Sequence, residues 1–465
     1  MNKIVRIEEL CKKITDGSHF SPSDEMLGQY PMFSVKDMTY NGFDDSDCKH
    51  INIDVFEKLA RSDCRPLKND ILIAKDGSYL KHVFKCEEDL NACILSSIAI
   101  LRPNLDVVNP DFFVYVLRTL SVKKAMANYV SGSALPRIIL SDFKKMKIKI
   151  NMDKIWQEKV SDILLKYDEL IENNNKRIKI LEQMAENLYK EWFVRFRFPG
   201  HETTEFENGM PKGWQTKRLG EFGVFLDSGS RPKGGIDDTL IEGVPSLGAE
   251  AVGELAQFDY SSVKYIPHEF YDKMKRGKFD GNAILVYKDG AYIGKTTIFR
   301  NKFPFENFAA NEHVFLMKST NFAYQNYLYF TLHQKEYFYL MQNLNRNAAQ
   351  PGLAQPDIKR IKITVPTEDV AKRFNVVIEP LFDEIFQIAK TNRNLIKQRD
   401  MLLPRLMSGK LEVKEKQERV LEFKPKKTFV EFKNEFKAAA RKDGSLTEQD
   451  LEELYKAYCD DSLDE

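Results

Sequence analysis

The sequence predicts an α+β protein in which two pseudo-repeated domains are separated by two long helices that form an antiparallel coiled coil, with pseudo-twofold symmetry. Two observations lead to this prediction. Matching sequence blocks occur twice in the same order, and each set is followed by a long segment with helical apolar spacing. At 465 residues, the chain is also too long for one ordinary core.

The internal repeat is the strongest pattern in the sequence. Blocks of the first half recur in the second half, in the same order, with an offset that drifts from 212 to 215 residues. Ordered recurrence of this kind indicates a duplicated structural unit rather than chance similarity. The paired blocks are residues 6–10 with 218–222, 17–19 with 229–231, 71–79 with 284–292, 134–136 with 349–351, and 142–148 with 357–363.

Each unit begins with short segments of β-branched and aromatic residues interrupted by Gly, Pro, Asn and Asp, which is typical of strands. Residues 98–101 and 314–317 are corresponding strand candidates. We therefore expect mixed α+β domains at 1–152 and 213–366, joined through a linker at 195–212. Each domain is large enough to bury its own core.

The two long helices are expected at 153–194 and 367–413. Their apolar residues alternate in steps of three and four, which is typical of a coiled coil. A lone helix cannot bury such a stripe, but the second copy supplies a partner if the two helices pair antiparallel. Pro380 and Pro404 predict a kink and fraying in the second helix. The stripes consist of Leu164, Tyr167, Ile171, Asn174, Ile178, Leu181, Ala185, Leu188 and Trp192, and of Phe374, Ile378, Leu381, Ile385, Ile388, Asn392, Leu395, Leu402 and Leu406.

Each stripe contains one asparagine, Asn174 in the first helix and Asn392 in the second. One interpretation places both amides at the solvent edge of the stripe. The other places them face to face, where a buried polar pair sets the register of the coiled coil at some expense in stability. The residue spacing favours neither interpretation.

The composition permits nucleic-acid binding without establishing it. The net charge is +1, but residues 443–465 hold nine acidic residues and one lysine, so residues 1–442 carry +9. Six scattered cysteines without a CxxC pair favour reduced thiols over disulfides or a zinc site. Because no signal-peptide core and no run of roughly 20 apolar residues occurs, we expect a cytoplasmic protein without a membrane partner.

The sequence predicts no catalytic site and no metal centre. It contains no P-loop of the form GxxxxGK[ST], no Asn-Pro-Pro-Tyr or Asp-Pro-Pro-Tyr motif of amino-methyltransferases, and no Gly-rich strand–turn–helix suited to a cofactor. No metal-type cluster of His, Cys and Asp stands out in the sequence either. We therefore expect a binding protein that carries no cofactor of its own.

Two α+β units, each closed by a long helix after an Asp-Phe/Ile-Lys-Lys/Arg-Met/Ile-Lys-Ile block, resemble the specificity subunits of bacterial and archaeal type I restriction–modification enzymes. The resemblance covers residues 1–413 and depends on an ordered set of segments rather than on one motif. The second unit lacks a counterpart of His19, so no contact can be transferred from one domain to the other. The similar segments are residues 16–22, 30–37, 174–182, 189–193, 210–214 and 399–411.

The resemblance implies a non-catalytic DNA-binding subunit that reads a bipartite, asymmetric double-stranded site, with one target-recognition domain per half-site. It also implies two modification (methyltransferase) subunits docked on the long helices, and restriction subunits that act as an ATP-dependent translocase and nuclease. S-adenosylmethionine, ATP and Mg²⁺ are then expected in those partners. The alternatives are a coiled-coil protein-interaction adaptor and a specificity subunit of another restriction-system type. A shared scaffold with divergent polar loops favours DNA reading over the adaptor.

Candidate DNA contacts are polar side chains in the divergent loops and near the entry to each long helix, because Arg and Lys read guanine and also hold phosphates. The alternative is that Asp76-Gly77 and Asp289-Gly290 are ordinary hairpin turns beside solvated lysines. The candidates are Ser18, His19, Lys36, Lys75, Ser78, Tyr79, Lys81 and Arg137 in the first unit, and Ser230, Arg231, Lys233, Lys288, Tyr292, Lys295 and Arg346 in the second.

Residues 414–465 form a C-terminal extension that has no counterpart in the repeat. One interpretation is a small helical appendage that begins near Ser445, with Glu448 in reach of a cap, and packs on another subunit or on the body of the chain. The other is a disordered, solubilising end. The local charge of −8 over residues 443–465 opposes direct contact with phosphates.

Overall fold

The structure is a computed structural model. It describes residues 2–24, 28–76, 82–129, 137–237, 239–279, 281–290, 292–344, 352–407 and 411. The expectations for the C-terminal extension and for Ser78, Tyr79, Lys81 and Arg346 lie outside these residues.

The first domain forms nine strands and four short helices within the described residues. Side-chain caps start three of the helices, since the side chains of Asn52, Asn109 and Thr119 accept from the amides of Val55, Phe112 and Val122. The strands are β1 Asn2–Arg6, β2 Cys11–Asp16, β3 Tyr30–Phe33, β4 Lys49–Ile51, β5 Ile71–Ala74, β6 Val83–Lys85, β7 Cys93–Ile94, β8 Ile98–Pro103 and β9 Lys147–Asn151. The helices are α1 Ile53–Arg61, α2 Pro110–Arg118, α3 Leu120–Ala127 and α4 Leu140–Lys145.

The second half repeats this content after a first long helix, α5 Lys154–Tyr189. Its strands are β10 Phe206–Glu207, β11 Met210–Pro211, β12 Gln215–Arg218, β13 Val224–Asp227, β14 Val244–Leu247, β15 Lys264–Ile266, β16 Asn282–Tyr287, β17 Thr296–Arg300, β18 Ala309–Ala310, β19 Val314–Ser319 and β20 Lys362–Val365. Its helices are α6 Leu219–Phe222, α7 His268–Lys273, α8 Gln325–His333, α9 Lys335–Asn343, α10 Gln355–Arg360 and the second long helix, α11 Glu368–Met407.

The two domains have the same sheet topology. A four-stranded sheet has the order β2-β8-β5-β6 in the first domain and β13-β19-β16-β17 in the second. A three-stranded sheet has the order β4-β3-β7 in the first and β15-β14-β18 in the second. β1 pairs antiparallel with β9, as β12 does with β20. The predicted pair of repeated α+β domains is therefore confirmed strand by strand.

The two long helices are close to their expected positions. Asp153 caps α5 by accepting a 3.1 Å hydrogen bond from the Trp156 amide, and one π-helical turn, Lys190–Val194, follows the helix. α11 continues through Pro380 and Pro404 to Met407. The fraying that we expected near Pro404 is thus absent from the described part of α11.

The long helices pair antiparallel, as predicted. Arg399 contacts Asp168, Asn392 contacts Asn174 and Glu384 contacts Arg177, so positions rise along α5 as they fall along α11. The predicted stripe residues are buried or half-buried in both helices. The pair therefore buries the apolar stripe that neither helix could bury by itself.

The core of the second domain is continuous with the long helices. Tyr189 at the end of α5 lies 5.7 Å from Phe330 of α8 and 6.4 Å from Phe374 of α11, measured between ring centroids. The segment 195–212, which we expected to be a linker, contains the β10–β11 hairpin, and just before that hairpin Phe198 stacks at 5.5 Å on Trp214. Among the described helices, none combines the length and the apolar character needed to span a membrane.

Candidate DNA interface

In the first domain, two strand ends bring an acid and a lysine together. β2 ends at Asp16 and β5 ends just before Lys75, and both strands pair with β8, so their ends lie at one edge of the sheet. The Lys75 Nζ atom lies 2.9 Å from Asp16 Oδ2, and the two side chains are 3% and 9% exposed. Lys75 is therefore a buried, paired cation rather than the accessible contact that its sequence position suggested.

Two exposed side chains, those of His19 and Arg137, lie beside this buried pair. The His19 side chain is 71% exposed, and its Nε2 lies 3.3 Å from Asp16 Oδ1. Arg137 donates two hydrogen bonds to the Asp76 carboxylate at 2.8 and 2.7 Å, and these bonds and the Asp76 charge raise the pKa of Arg137. The sheet edge thus presents an imidazole and a guanidinium whose positions are fixed by two aspartates.

Two other candidates of the first domain have local roles. Ser18 is buried, and its hydroxyl donates a 2.6 Å hydrogen bond to the Phe20 carbonyl, which stabilises the turn. Lys36 is exposed, and its Nζ donates at 2.9 Å to the Asp47 carbonyl. The contacts of Lys36 do not join it to the cluster around Asp16.

In the second domain, the corresponding edge holds a different cluster. Lys288, the counterpart of Lys75, donates at 2.8 Å to the Glu312 carbonyl and lies 3.4 Å from the Asp289 carboxylate. Arg231 pairs with the Glu312 carboxylate and lies 3.2 Å from His313 Nε2. His313 Nδ1 in turn lies 3.3 Å from Asp289 Oδ2.

The charge of this second cluster is set by Arg231 and Glu312. Burial raises the pKa of Glu312, but a backbone hydrogen bond and Arg231 outweigh this effect and lower it, so the carboxylate stays ionised. Arg231 keeps 41% of its side chain exposed and can still meet a ligand. Ser230 and Lys233 are exposed beside it.

The remaining candidates of the second domain lie in the turn that follows β16. Tyr292 is 63% exposed, and its carbonyl accepts a 3.0 Å hydrogen bond from the Lys295 amide. Lys295 is half-buried and pairs with Tyr287 through its backbone carbonyl. Tyr292 therefore presents an aromatic ring to solvent, whereas Lys295 closes the turn.

The same backbone frame carries different side chains in the two domains. An isolated bridge joins Asp76 to Arg137 in the first domain, and the matching bridge joins Asp289 to Gly352 in the second. The exposed arginine therefore lies at different places, at residue 137 in one domain and at residue 231 in the other. Sequence reasoning missed the anions Asp16, Asp76 and Glu312 and the imidazole of His313, which hold these cations.

The two stripe asparagines lie face to face. Asn174 Nδ2 donates at 2.7 Å to Asn392 Oδ1, and Asn392 Nδ2 donates at 2.9 Å to Asn175 Oδ1. This geometry excludes the solvent-edge interpretation, because Asn392 is 7% exposed. A role in setting the register remains a prediction.

A group of metal-ligand type also forms where the sequence indicated none. Glu182 and Glu186 of α5 lie beside His333 at the end of α8, and the ligand atoms of all three are within 4.8 Å of one another. The two glutamates are four residues apart on one helix face. The histidine comes from the second domain, so no sequence pattern joins it to them.

Comparison with known proteins identifies the family. Residues 2–183 and 211–398 match the type I restriction modification DNA specificity domain. The MjaIX specificity subunit of Methanocaldococcus jannaschii is 29% identical over 329 residues, which cover 67% of this chain and 71% of the relative. The MjaVIII specificity subunit of the same organism is 24% identical over 419 residues, which cover 89% and 93%. Both relatives are named as type I specificity subunits, as the sequence predicts for this chain, rather than as catalytic subunits.

A solved structure, the S subunit of a type I restriction–modification system from M. genitalium, aligns with 88% of this chain and 96% of its own length, at 17% identity and a TM-score of 0.49. The family match covers both repeated domains and most of both long helices. The chain belongs to the type I restriction–modification specificity subunits.

Proposed function

We propose that this subunit reads a bipartite, asymmetric double-stranded DNA site, with one half-site for each domain, in the cytoplasm. Two modification subunits dock on its long helices, and restriction subunits complete the complex. S-adenosylmethionine, ATP and Mg²⁺ belong to those partners. The two domains and the helix pair supply DNA recognition and spacing.

The observation that carries this proposal is the pair of matched sheet edges with different exposed polar side chains. His19 and Arg137 lie at the first edge, and Arg231 and Lys233 lie at the second. A scaffold that repeats while its polar side chains change is what two half-sites of different sequence require. An adaptor that binds two copies of one protein would instead need similar surfaces.

The ion pairs at these edges orient the cations for recognition. A guanidinium held by one carboxylate keeps a fixed plane, and a planar pair of donors matches the O6 and N7 atoms of guanine. On binding, phosphates or base edges take over donors that the carboxylates do not use. Arg231 and Arg137 are therefore the side chains that we expect to discriminate bases.

Exchange of one domain tests the proposal. Residues 1–152 would be replaced by the matching domain of a relative with a different methylated motif, and the motif of the reconstituted methyltransferase would be read by methylome sequencing. We expect one half-site to change while the other half-site and the spacer persist. A change in both half-sites together would contradict independent reading.

Exposed apolar side chains on the long helices support docking of partner subunits. Leu170 is 52% exposed and Ile180 is 62% exposed on α5, and Val376 is 74% exposed on α11. These residues lie outside the stripe that the helices bury against each other. Exposed apolar groups on two paired helices are suited to contact with further protein.

A charged substitution tests this docking. Leu170→Asp should weaken assembly with the modification subunit by roughly tenfold or more, because a carboxylate would be buried against an apolar partner. Gln183→Asp is the matched control, since Gln183 is exposed on a different side of α5 from Leu170. Co-purification and the affinity of the purified subunits measure the effect. Equal assembly by both variants would exclude this face of α5 as the docking surface.

A further inference from the structure

We propose that Glu182, Glu186 and His333 form a zinc site that fastens the first long helix to the second recognition domain. The three ligand atoms lie within 4.8 Å of one another. A tetrahedral zinc ion holds its ligands roughly 3.4 Å apart at bond lengths of 2.0–2.2 Å, so modest side-chain rotations bring these groups to bonding distance. An imidazole with two carboxylates is a donor set that suits zinc.

The orientation of His333 is already set for binding a metal. Its Nδ1 atom lies 3.2 Å from the Thr296 carbonyl and 3.1 Å from the Thr296 hydroxyl. A carbonyl oxygen only accepts hydrogen bonds, so the tautomer with its proton on Nδ1 satisfies this contact, and in that tautomer the Nε2 lone pair is available. A backbone carbonyl that fixes the tautomer in this way is the usual support of a zinc-binding histidine.

The first domain has an arginine at the position that His333 occupies in the second. α2 and α8 are equivalent helices of nine residues, and Arg118 ends the first as His333 ends the second. Arg118 Nε donates at 2.8 Å to the Val83 carbonyl at the start of β6, just as His333 bonds the Thr296 carbonyl at the start of β17.

At this position the first domain uses a permanent protein cation. The Arg118 guanidinium lies 3.5 Å from Asp168 of α5 and so carries positive charge to the long helix. The neutral tautomer of His333 brings none to Glu182 and Glu186. A bound zinc ion would add positive charge beside Glu182 and Glu186, besides that of Lys190, which lies 3.2 Å from Glu186.

Two of the three proposed ligands, the glutamates, face an open cleft. Glu182 and Glu186 line a cleft of about 310 Å³, whose other lining residues are Lys179, Gln183 and Glu254. Lys190 holds Glu186 Oε2 at 3.2 Å, which leaves Oε1 for the ion. Water or Glu254 would complete a fourth position.

The test compares zinc binding by the full chain and its variants after treatment with EDTA. ZnCl₂ should bind at one ion per chain and raise the melting temperature of the wild-type protein. Glu182→Gln should weaken zinc binding by at least about tenfold, since a neutral amide replaces a charged ligand. His333→Arg places the arginine of the first domain in the second, and it should abolish the zinc-dependent shift while the chain remains folded.

His268→Arg is the matched control, because His268 is exposed on α7. It should retain the wild-type zinc stoichiometry and melting shift. Melting temperatures that do not respond to zinc would overturn the proposal. Zinc binding that persists unchanged in both His333→Arg and Glu182→Gln would also overturn it.

Discussion

At the scale of single residues, acids hold the cations in place at the two sheet edges that we propose contact DNA. Asp16 pairs with Lys75 inside the first domain, while Asp76 holds Arg137 at the surface. A buried lysine without its partner carries a large desolvation penalty, whereas an exposed pair adds little. The same type of contact therefore neutralises a buried charge in one place and fixes the position of an exposed arginine in the other.

Asp16→Asn should destabilise the protein by roughly 3–5 kcal/mol, because it leaves the charge of Lys75 buried without a counter-ion. Asp47→Asn is the control, since Asp47 is fully exposed beside Lys36 and should change stability little. Urea unfolding of both variants measures the difference. Equal stability of the two variants would show that Lys75 finds another partner or loses its proton.

At the scale of elements, the helix pair combines an apolar stripe with a polar layer. Asn174, Asn175 and Asn392 form a chain of two hydrogen bonds between α5 and α11. Nearby, Asp168 accepts from the Tyr115 hydroxyl at 2.6 Å and pairs with Arg399. Buried polar groups tolerate few alternative partners, so such layers favour one register over its neighbours.

Asn392→Leu should destabilise the helix pair by about 0.5–1.5 kcal/mol, because it removes the hydrogen-bond partner of the half-buried amides of Asn174 and Asn175. The double variant Asn174→Leu/Asn392→Leu should recover much of this loss, since two leucines continue the apolar stripe. A double-mutant cycle from urea unfolding measures the coupling. Additive losses would mean that the two amides do not act as a pair, and Asn173→Leu serves as the exposed control.

At the scale of the whole molecule, each domain packs against a different part of the helix pair. The first domain contacts α5 at Asp168, whereas the second packs on Tyr189 and on Phe374 of α11. Because both domains are attached to the same paired helices, the length of the pair fixes the distance between the two reading edges. The spacer of the DNA site should therefore follow helix length.

Seven residues inserted in each long helix, beside Asn174 and beside Asn392, should lengthen the spacer of the recognised motif. At ~1.5 Å per residue the insertion adds about 10 Å, which corresponds to about three base pairs at ~3.4 Å each. Methylome sequencing of cells that express the variant measures the spacer. A motif with the original spacer would contradict the role of the helices as a ruler, and insertion in one helix alone should abolish assembly.

Much of the fold follows from the sequence because its signals are local or periodic. The repeated blocks predict two equivalent domains, and the stripes from Leu164 to Trp192 and from Phe374 to Leu406 predict two long helices that need each other. Helical spacing depends only on neighbours along the chain, so the two helices can be predicted without knowledge of the tertiary structure. The ordered set of segments within residues 1–413 also indicates the family of type I specificity subunits.

The tertiary structure decided which residues that are far apart in the sequence come into contact. The pattern left two positions open for Asn174 and Asn392, and only the packing of the helices brings their amides together. Lys75 and Lys288 follow strands of similar sequence. Only Lys75 is buried, where it pairs with Asp16. His333 reaches Glu182 and Glu186 because a helix of the second domain packs on α5. Sequence patterns determine which groups are present, whereas folding determines which opposite charges and amides meet in a low-dielectric interior.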